Sequence, residues 1–186
     1  MKKELRRAMN ATRSLVPAAS RAARSAAITD RIVALDAFVA ARTVAGYVAV
    51  RGECDPAAAL TAVLDRGDIV ALPKVDLSAI RIDWKRRTKD APLAVGAYGI
   101  LEPEGDAEPV DPASVDLVLV PGVAFDLAGH RLGQGKGFYD RALENMSNAL
   151  VVGLCFDFQL VDELPAEPHD RSMQLIVTDT RIVDLR

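Results

Sequence analysis

The segment HRLGQGKGFYDRAL, residues 130–143, contains the residue types that could bind a phosphate group. Three glycines alternate there with Gln134 and Lys136, and Arg131 precedes them. Glycines let successive backbone N–H groups converge on an anion, because no Cβ stands in the way, and the two basic side chains can add charge. The spacing matches neither the dinucleotide-binding pattern nor the Walker pattern. On spacing alone, an anion-binding loop and a glycine-rich turn after a hairpin both stay open.

Asp140 favours the anion-binding interpretation. It falls in the first turn of a helix expected from Gly137 to Asn145, and the unpaired N–H groups of that helix would point toward the loop. A carboxylate next to a phosphate is tolerable when Mg²⁺ lies between them, as it does in nucleotide sites. The alternative is a purely structural acid that the helix dipole stabilises. The combination of loop and carboxylate predicts a nucleotide bound with Mg²⁺.

Other reactive side chains form no recognisable cluster. Cys54 and Cys155 are far apart and have no metal-binding or redox spacing, and His130 and His169 are equally isolated. We expect two free, unreactive thiols in a reducing cytoplasm, and no structural zinc.

The composition is that of a globular protein. Half of the 186 residues are hydrophobic and 26% are charged, with a formal net charge of −3. This length can bury a core within one domain, residues 1–186, and the charge gives no reason to expect nucleic acid or a membrane as a partner. The first 24 residues are nevertheless basic, with seven Lys and Arg against one acid. They lack the serine enrichment of a transit peptide, so we expect a cytoplasmic protein, and a monomer.

The hydrophobic periodicity predicts that helices and strands alternate. Residues 2–13 and 18–41 are helical in pattern, the second with an amphipathic stripe. Residues 43–50 and 68–73 are short apolar runs with β-branched content, which suits buried strands. A helix of residues 55–66 separates these strands, because it begins with Asp-Pro and a glycine follows it.

The second half of the chain continues this alternation. Further strands are expected at residues 80–84, 114–120, 149–155, 175–178 and 182–185. The stretch 88–112 is punctuated by Pro and Gly and is expected to be irregular. The pattern predicts an α/β fold: a single domain with a mostly parallel, Rossmann-like sheet flanked by helices on both faces.

Five segments of the chain match a known family in order. They are KKELR at the start, GECDP and ALPKV in the middle, PGVAFDLAGHRLGQGKGFYDRAL, and LPAEPHD near the end. Together they resemble the 5-formyltetrahydrofolate cyclo-ligase family, also called 5,10-methenyltetrahydrofolate synthetases. The resemblance covers the whole chain, and residues 121–141 are its most specific part.

The resemblance implies an ATP- and Mg²⁺-dependent ring closure of a reduced folate. In the implied reaction, the γ-phosphate of ATP passes to the formyl oxygen of 5-formyltetrahydrofolate. The neighbouring bridge nitrogen then attacks the activated carbon, and phosphate leaves. The products are 5,10-methenyltetrahydrofolate, ADP and phosphate, so the implied partners are small molecules only.

The resemblance also assigns roles to individual residues. Those implied to bind ATP are Lys2, Lys3, Arg6, Arg131, Leu132, Gly133, Gln134, Gly135, Lys136, Gly137, Phe138 and Tyr139. Those implied to bind the folate are Val48, Glu53, Tyr98, Gln134, Gly135, Lys136, Gly137 and Phe138. Lys136 and Arg131 are the implied catalytic cations, and Asp140 and Asp170 are the implied Mg²⁺-linked carboxylates. Lys3 is included because the first motif allows a register shift of one residue.

Two of the implied folate contacts have a clear chemical reason. Glu53 follows the strand expected at residues 43–50, at the carboxyl end where α/β sheets bind ligands. A carboxylate is also the natural acceptor for the adjacent N–H donors of a pterin ring. Tyr98 stands where the family often has an aromatic residue, commonly Trp, and can stack on the folate.

Several other conspicuous residues are expected to have no role in the site. Trp84 is expected to pack in the core. The acids Glu102, Glu104, Asp106 and Glu108 are expected to lie in a solvated loop.

The residues by themselves leave two other classes of function open. Sugar-phosphate isomerases and CoA transferases have related sheets, but they need a general base or a nucleophilic glutamate, and only Glu53 is available near the strand ends. A non-enzymatic folate- or nucleotide-binding protein would bind its ligand without turnover. A module whose basic first helix holds RNA or acidic partners would bind with strong salt dependence.

Overall fold

The structure, a computed structural model, describes residues 1–165 and 171–186. Its α-helices are α1 (Lys2–Leu15), α2 (Ala18–Val33), α3 (Asp36–Ala40), α4 (Ala57–Asp65) and α5 (Phe138–Glu144). Its strands are β1 (Thr43–Ala45), β2 (Ile69–Asp76), β3 (Arg81–Arg87), β4 (Leu93–Val95), β5 (Leu101–Pro103), β6 (Leu117–Pro121), β7 (Ala124–Asp126), β8 (Arg131–Leu132), β9 (Leu150–Leu154), β10 (Leu160–Val161), β11 (Leu175–Val177) and β12 (Ile182–Asp184). None of the described helices is long and apolar enough to cross a membrane.

A seven-stranded sheet forms the centre of the fold, in the order β12-β11-β9-β6-β1-β2-β3. The five inner strands are parallel to one another. The edge strands β12 and β3 are antiparallel to their neighbours. Val44 of β1 pairs with Val70 on one side and Leu117 on the other, so β1 lies between β2 and β6. The segments that follow β1, β2 and β6 therefore meet at one edge of the sheet.

Helices cover both faces of this sheet, as the sequence predicted. On one face, α2, α3 and α4 contribute Ile28, Phe38 and Leu60 to a hydrophobic cluster with the strands. On the other face, α5 and the turn after it contribute Leu143 and Met146. The five side chains are 6% exposed or less, and they bury the apolar surface of a predominantly parallel sheet.

The first helix packs elsewhere, against a small sheet in the order β10-β7-β8. Leu5 and Met9 of α1 contact a cluster that contains Val123, Ala124 and Leu132. This contact brings the start of α1 next to the loop that follows β8. The basic first segment therefore packs as an integral part of the fold.

The helix expected at residues 18–41 is in fact two helices, α2 and α3. Leu35 is extended between them, with φ −72° and ψ 127°. Phe38 of α3 is 1% exposed and packs in the same cluster as Ile32 of α2. Arg66 holds α3 in place, because its Nη2 donates to the carbonyls of Phe38 and Ala41 at 2.9 and 2.6 Å.

Two further features of the fold differ from expectation. The strand expected at residues 43–50 ends at Ala45, and the chain then leaves the sheet as a loop. The buried Tyr47 hydroxyl closes this loop by donating to the Cys54 carbonyl at 2.6 Å. The stretch 88–112, expected to be irregular, contains the β4–β5 hairpin. Long-range pairing decides both features, and neither has a local signal.

Candidate functional site

A cavity of about 370 Å³ lies where the parallel strands end. Its walls come from the start of α1, the loop after β1, the end of β2, the region around β4 and β5, and the chain between β6 and α5. The basic residues that line it are Lys2, Arg6, Arg51, Arg131 and Lys136, and the acidic ones are Glu53, Glu102 and Asp140. The excess of cations makes the cavity suitable for an anionic small molecule.

The glycine loop, residues 133–137, follows β8 directly and lines the cavity along its whole length. Gly135 has φ +90°, a conformation that favours glycine. A Cβ at Gly133 would lie 2.8 Å from Nη1 of Arg131, and a Cβ at Gly135 would lie 3.3 Å from Cζ of Arg6. The missing side chains therefore allow both guanidinium groups to approach the loop backbone.

Arg131 and Asp140 form an ion pair at this loop. Nη2 of Arg131 donates to Oδ1 of Asp140 at 2.6 Å, and the arginine side chain is only 6% exposed. The guanidinium group also lies over the ring of Tyr139, 5.6 Å from its centroid. Nε of Arg131 is buried and has no hydrogen-bond partner within the described ranges. An unpaired buried donor costs free energy, and an acceptor on a bound ligand would remove that cost.

Helix α1 brings two of the residues predicted to bind ATP to the same loop. Lys2 and Arg6 line the cavity, and Nε of Arg6 donates to the carbonyl of Gly133 at 2.7 Å. Lys3 is exposed and does not line the cavity. Of this motif, Lys2 and Arg6 therefore lie at the cavity, and Arg6 contacts the glycine loop directly.

Glu53 lies in the loop after β1 and lines the cavity together with Val48. Its Oε2 accepts a hydrogen bond from the Val50 N–H at 3.1 Å. Burial raises the pKa of the Glu53 carboxyl, whereas this hydrogen bond and the charges of Arg13 and Arg51 lower it in part. The site thus contains a half-buried carboxylate beside apolar surface, which is suited to a ligand with N–H donors.

Tyr98 and Phe138 form an aromatic pair at the cavity. Their rings are edge to face with centroids 6.3 Å apart, and both residues line the cavity. Tyr98 is 48% exposed and has φ +57° in the turn between β4 and β5. The pair connects that hairpin to the start of α5, a contact between residues too distant in the chain for a sequence pattern to reveal.

The expectation that Glu102 lies in a solvated loop is wrong. Its side chain is 3% exposed and lines the cavity. Oε1 accepts from the Val75 N–H at 3.3 Å, and Gly96 provides the space, because a Cβ there would lie 2.1 Å from Oε2. The three acids that follow Glu102 are exposed, as expected. Nothing in the local sequence separates Glu102 from them, since only the packing of β5 on β2 buries it.

The two predicted metal ligands have different outcomes. Asp140 lines the cavity, whereas Asp170 lies outside the described residues. Across residues 1–165 and 171–186, no group of three or more His, Cys, Asp or Glu side chains could hold a metal ion.

Three residues that were expected to be inert are buried away from reaction. Cys54 and Cys155 are free thiols, and burial raises the pKa of the Cys54 thiol to about 12. Trp84 is 3% exposed, and its ring meets that of Tyr139 edge to face with centroids 6.5 Å apart. These side chains contribute packing rather than chemistry.

The fold and the cavity together define a class of protein. A parallel α/β sheet whose strand ends carry a cationic glycine loop and half-buried carboxylates is that of a protein that binds anionic small molecules. The model of the 5-formyltetrahydrofolate cyclo-ligase family matches residues 1–179. The chain belongs to this family.

Individual relatives agree with the family match. A 5-formyltetrahydrofolate cyclo-ligase from Mycolicibacterium smegmatis is 35% identical over 192 residues, which cover 100% of this chain and 97% of the relative. One from Escherichia coli is 34% identical over 156 residues, with coverage of 82% and 86%. The NMR structure of Aquifex aeolicus 5,10-methenyltetrahydrofolate synthetase superposes with a TM-score of 0.88 at 36% identity, and covers 100% of this chain and 93% of that chain.

These findings confirm the predicted fold class and the predicted family. The chain is an enzyme of the cyclo-ligase type, and the names of its relatives support the conversion of 5-formyltetrahydrofolate to 5,10-methenyltetrahydrofolate. They decide against the isomerase, CoA-transferase and non-catalytic alternatives that the residues alone left open.

Proposed function

We propose that this protein cyclises 5-formyltetrahydrofolate to 5,10-methenyltetrahydrofolate with ATP and Mg²⁺, releasing ADP and phosphate through phosphorylation of the formyl oxygen. The observation that carries the proposal is the cavity in which the cationic glycine loop and Glu53 lie together. A triphosphate needs positive charge and N–H donors, whereas a pterin ring needs an acceptor for its adjacent N–H groups. The cavity offers both to ligands bound side by side.

The residues around the glycine loop fit a triphosphate. The buried Nε of Arg131 lacks a partner in the described part of the chain, and Arg6 is held against the loop by its bond to Gly133. Lys136 is exposed on the same loop, so its ammonium group can follow a phosphate. In this proposal Lys136 and Arg131 neutralise the charge that develops as the phosphoryl group moves, which is the main demand of this chemistry.

Asp140 fits a magnesium ligand of the type that uses one or two carboxylates together with substrate phosphates. Its side chain is 26% exposed, it lines the cavity, and its ion pair with Arg131 uses Oδ1. When bound, Mg²⁺ supplies neutralisation of phosphate charge. Arg131 orients the Asp140 carboxylate for that purpose, and Asp170 remains the proposed second carboxylate.

The other residues that line the cavity fit a reduced folate. Glu53 is proposed to accept hydrogen bonds from the N–H groups of the pterin ring. Val48 supplies apolar surface beside it, and Tyr98 and Phe138 supply aromatic surface on which a flat ring can stack. Apolar contact with a few polar anchors is the usual composition of such sites.

The chemistry proposed for this site needs positioning, and it needs no covalent bond between the substrate and the protein. A formyl oxygen is a poor leaving group and phosphate is a good one, so phosphorylation prepares the carbon for attack by the bridge nitrogen. The cavity lining within the described residues contains no Ser, Thr, Cys or His. Burial raises the pKa of the Tyr47 and Tyr139 phenols, which therefore stay protonated. We assign no catalytic base.

A direct assay tests the proposal. Purified, folded protein with 5-formyltetrahydrofolate, ATP and Mg²⁺ is expected to develop the absorbance of 5,10-methenyltetrahydrofolate and to release one phosphate for each product formed. Lys136→Ala is expected to lower kcat/KM for ATP by about 10²-fold or more. Lys89→Ala, an exposed lysine that pairs with Asp65 away from the cavity, is the matched control. Absence of product with folded wild-type protein would refute the proposed reaction.

A further inference from the structure

Arg13 is a buried arginine that the proposed chemistry does not use. It lies in α1, is 2% exposed, and donates from Nη2 to Oδ1 of Asn10 at 3.1 Å. Its Nε and Nη1 are buried and have no hydrogen-bond partner within the described ranges. Burial of an arginine with two unpaired donors is costly, because desolvation is only partly compensated. A cation in such a position requires an explanation beyond packing.

The geometry of α1 relates Arg13 to the cavity. Arg6 and Arg13 are seven residues apart, which places them about 20° apart around the helix axis and about 10 Å apart along it. Lys2 lies about 40° from Arg6 on the same face. This face turns toward the body of the protein, since Met9 between the two arginines packs against the small sheet. The helix thus carries one row of cations, of which Lys2 and Arg6 line the cavity.

Arg13 lies beneath the loop that carries Glu53. A Cβ built on Gly52 would lie 3.8 Å from Cγ of Arg13, so the arginine stem packs against the residue next to Glu53. Arg13 and Glu53 attract each other electrostatically. Because Arg13 is buried, solvent screens this attraction less than it screens that of the exposed Arg51.

Several ionisable groups surround the Glu53 carboxyl. They are Arg13 of α1, Arg51 of the same loop, Tyr47 of the segment after β1, and Tyr139 of α5, with Arg21 of α2 against Gly52. Burial raises the pKa of Glu53, and the two nearby cations, Arg13 and Arg51, oppose that increase. Burial raises the pKa of both tyrosines, so they are neutral at physiological pH and cannot lower the pKa of Glu53 as the two arginines do.

We propose that Arg13 is a positioning residue, which acts through its charge from beneath the Gly52–Glu53 loop and keeps Glu53 a carboxylate that can accept the N–H donors of the bound folate. Arg13 is not among the residues that line the cavity, so it would act through Glu53 and not by its own contact with a ligand there. This role rests on the proposed function, in which Glu53 accepts those hydrogen bonds. It also explains the two unpaired donors, because the arginine is retained for its charge on Glu53 and not for its own hydrogen bonds.

The test compares folate binding as a function of pH in matched variants. Arg13→Met keeps an unbranched apolar stem and removes the charge, and Arg13→Lys keeps the charge. Arg7→Met is the control, since Arg7 is exposed on the same helix. Affinity for 5-formyltetrahydrofolate without nucleotide is measured by calorimetry between about pH 5 and 8, with ADP affinity and Tm measured in parallel.

The expected result is a shift of the acid limb of the folate-affinity profile. In Arg13→Met this limb moves up by about one pH unit, so that affinity near its lower end falls by about tenfold. Arg13→Lys restores most of the wild-type profile, and Arg7→Met leaves it unchanged. ADP affinity stays within about twofold in all three variants. The melting temperatures establish that each variant is folded at the temperature of the titration, so that a shifted profile is not a consequence of unfolding.

Several results would overturn the role of Arg13. One is a pH profile of folate affinity in Arg13→Met that equals that of the wild type, and another is a profile that Arg13→Lys does not restore. A third is a loss of folate affinity on Arg13→Met that is as large in a Glu53→Gln background as in the wild type. If Arg13→Met does not fold, Arg13→Gln replaces it in the same measurement. Wild-type protein that does not bind 5-formyltetrahydrofolate would overturn both this role and the proposed function. Normal wild-type turnover with an unshifted variant would overturn only the role of Arg13.

Discussion

Replacement of Gly135 by alanine separates two consequences of a glycine in the glycine loop. Gly135 has φ +90°, and a side chain in this region costs about 1–2 kcal/mol. For a chain of this size, that cost lowers Tm by roughly 2–8 °C. The new Cβ would also lie 3.3 Å from Cζ of Arg6 and 3.4 Å from its Nη2, so the guanidinium group must shift by a few tenths of an ångström. Backbone strain and displacement of Arg6 are therefore both expected.

Gly67→Ala supplies the matched control. Gly67 has φ +82°, and a Cβ there meets no heavy atom within 4 Å. This variant has a similar conformational cost at the turn after α4, far from the cavity, and displaces no side chain. Both variants are therefore expected to lose similar stability, and only Gly135→Ala is expected to lose nucleotide affinity. A displaced, charge-assisted contact of Arg6 corresponds to a rise of about tenfold in the Kd of ADP or ATP.

The measurements are thermal unfolding and calorimetric titration with ADP in Mg²⁺ buffer. The expected result is a comparable fall in Tm for both variants, with a higher Kd for Gly135→Ala alone. If Gly135→Ala binds nucleotide as tightly as Gly67→Ala, the approach of Arg6 to the loop is not part of the nucleotide site. If both variants lose affinity equally, the loss reflects general destabilisation, and the reasoning fails as well.

Two further predictions concern buried carboxylates. Glu102→Ala leaves the Val75 N–H without its acceptor, so we expect the free energy of unfolding, measured with urea, to fall by about 1–3 kcal/mol. Glu104 is an exposed acid of the same stretch, so Glu104→Ala is expected to change this free energy hardly at all. Equal stability of the two variants would contradict the buried position of Glu102. Asp126 is fully buried, and although burial raises the pKa of its carboxyl, hydrogen bonds from His130, Leu164 and Ala128 outweigh this effect and hold the pKa below its usual value. Because the pKa of Asp126 is lowered in the folded protein, its ionised carboxylate stabilises the fold at pH values above the ordinary carboxyl pKa. This stabilisation is lost as the pH falls through the lowered pKa. The difference in unfolding free energy between wild type and Asp126→Asn is therefore expected to shrink below about pH 4. Urea unfolding at several pH values checks this, and a difference that is constant with pH would count against it.

Local patterns in the chain predicted the seven strands of the central sheet, but not the short strands β4, β5 and β10. The apolar runs of β6 and β9 have the composition of strands buried on both faces, and Asp55-Pro56 and Gly67 bracket α4 by their backbone preferences. These signals depend on neighbouring residues only. The break between α2 and α3 at Leu35 has no such local signal. It depends on tertiary contacts: Phe38 packs in the same cluster as Ile32, and Arg66, which is distant in the chain, bonds to the Phe38 carbonyl.

The residues of the candidate site likewise fall into those that the sequence could single out and those that only the packing reveals. Gly133 to Gly137 and Asp140 lie close together in the sequence, so the loop and its carboxylate could be proposed as a phosphate site from local residues, although the spacing alone left a glycine-rich turn open. Glu53 could be proposed through the resemblance to the family, with its place after an expected strand as the supporting chemical reason. Glu102 and Arg13 could not be singled out, since each is one of several like charges in its own stretch and only packing buries it.

The sequence by itself determined the fold class and the residue types of the candidate site: a glycine loop with cations, a carboxylate in the helix after it, and an alternation of helices and strands that forms a parallel sheet. Only the tertiary structure decided which charges lie together. The contact of α1 with the small sheet brings Arg6 to Gly133, and the same helix places Arg13 beneath the loop of Glu53. The physical reason is that the environment of a charge, meaning its burial and its partners, depends on contacts between distant segments, whereas backbone preference depends on adjacent residues.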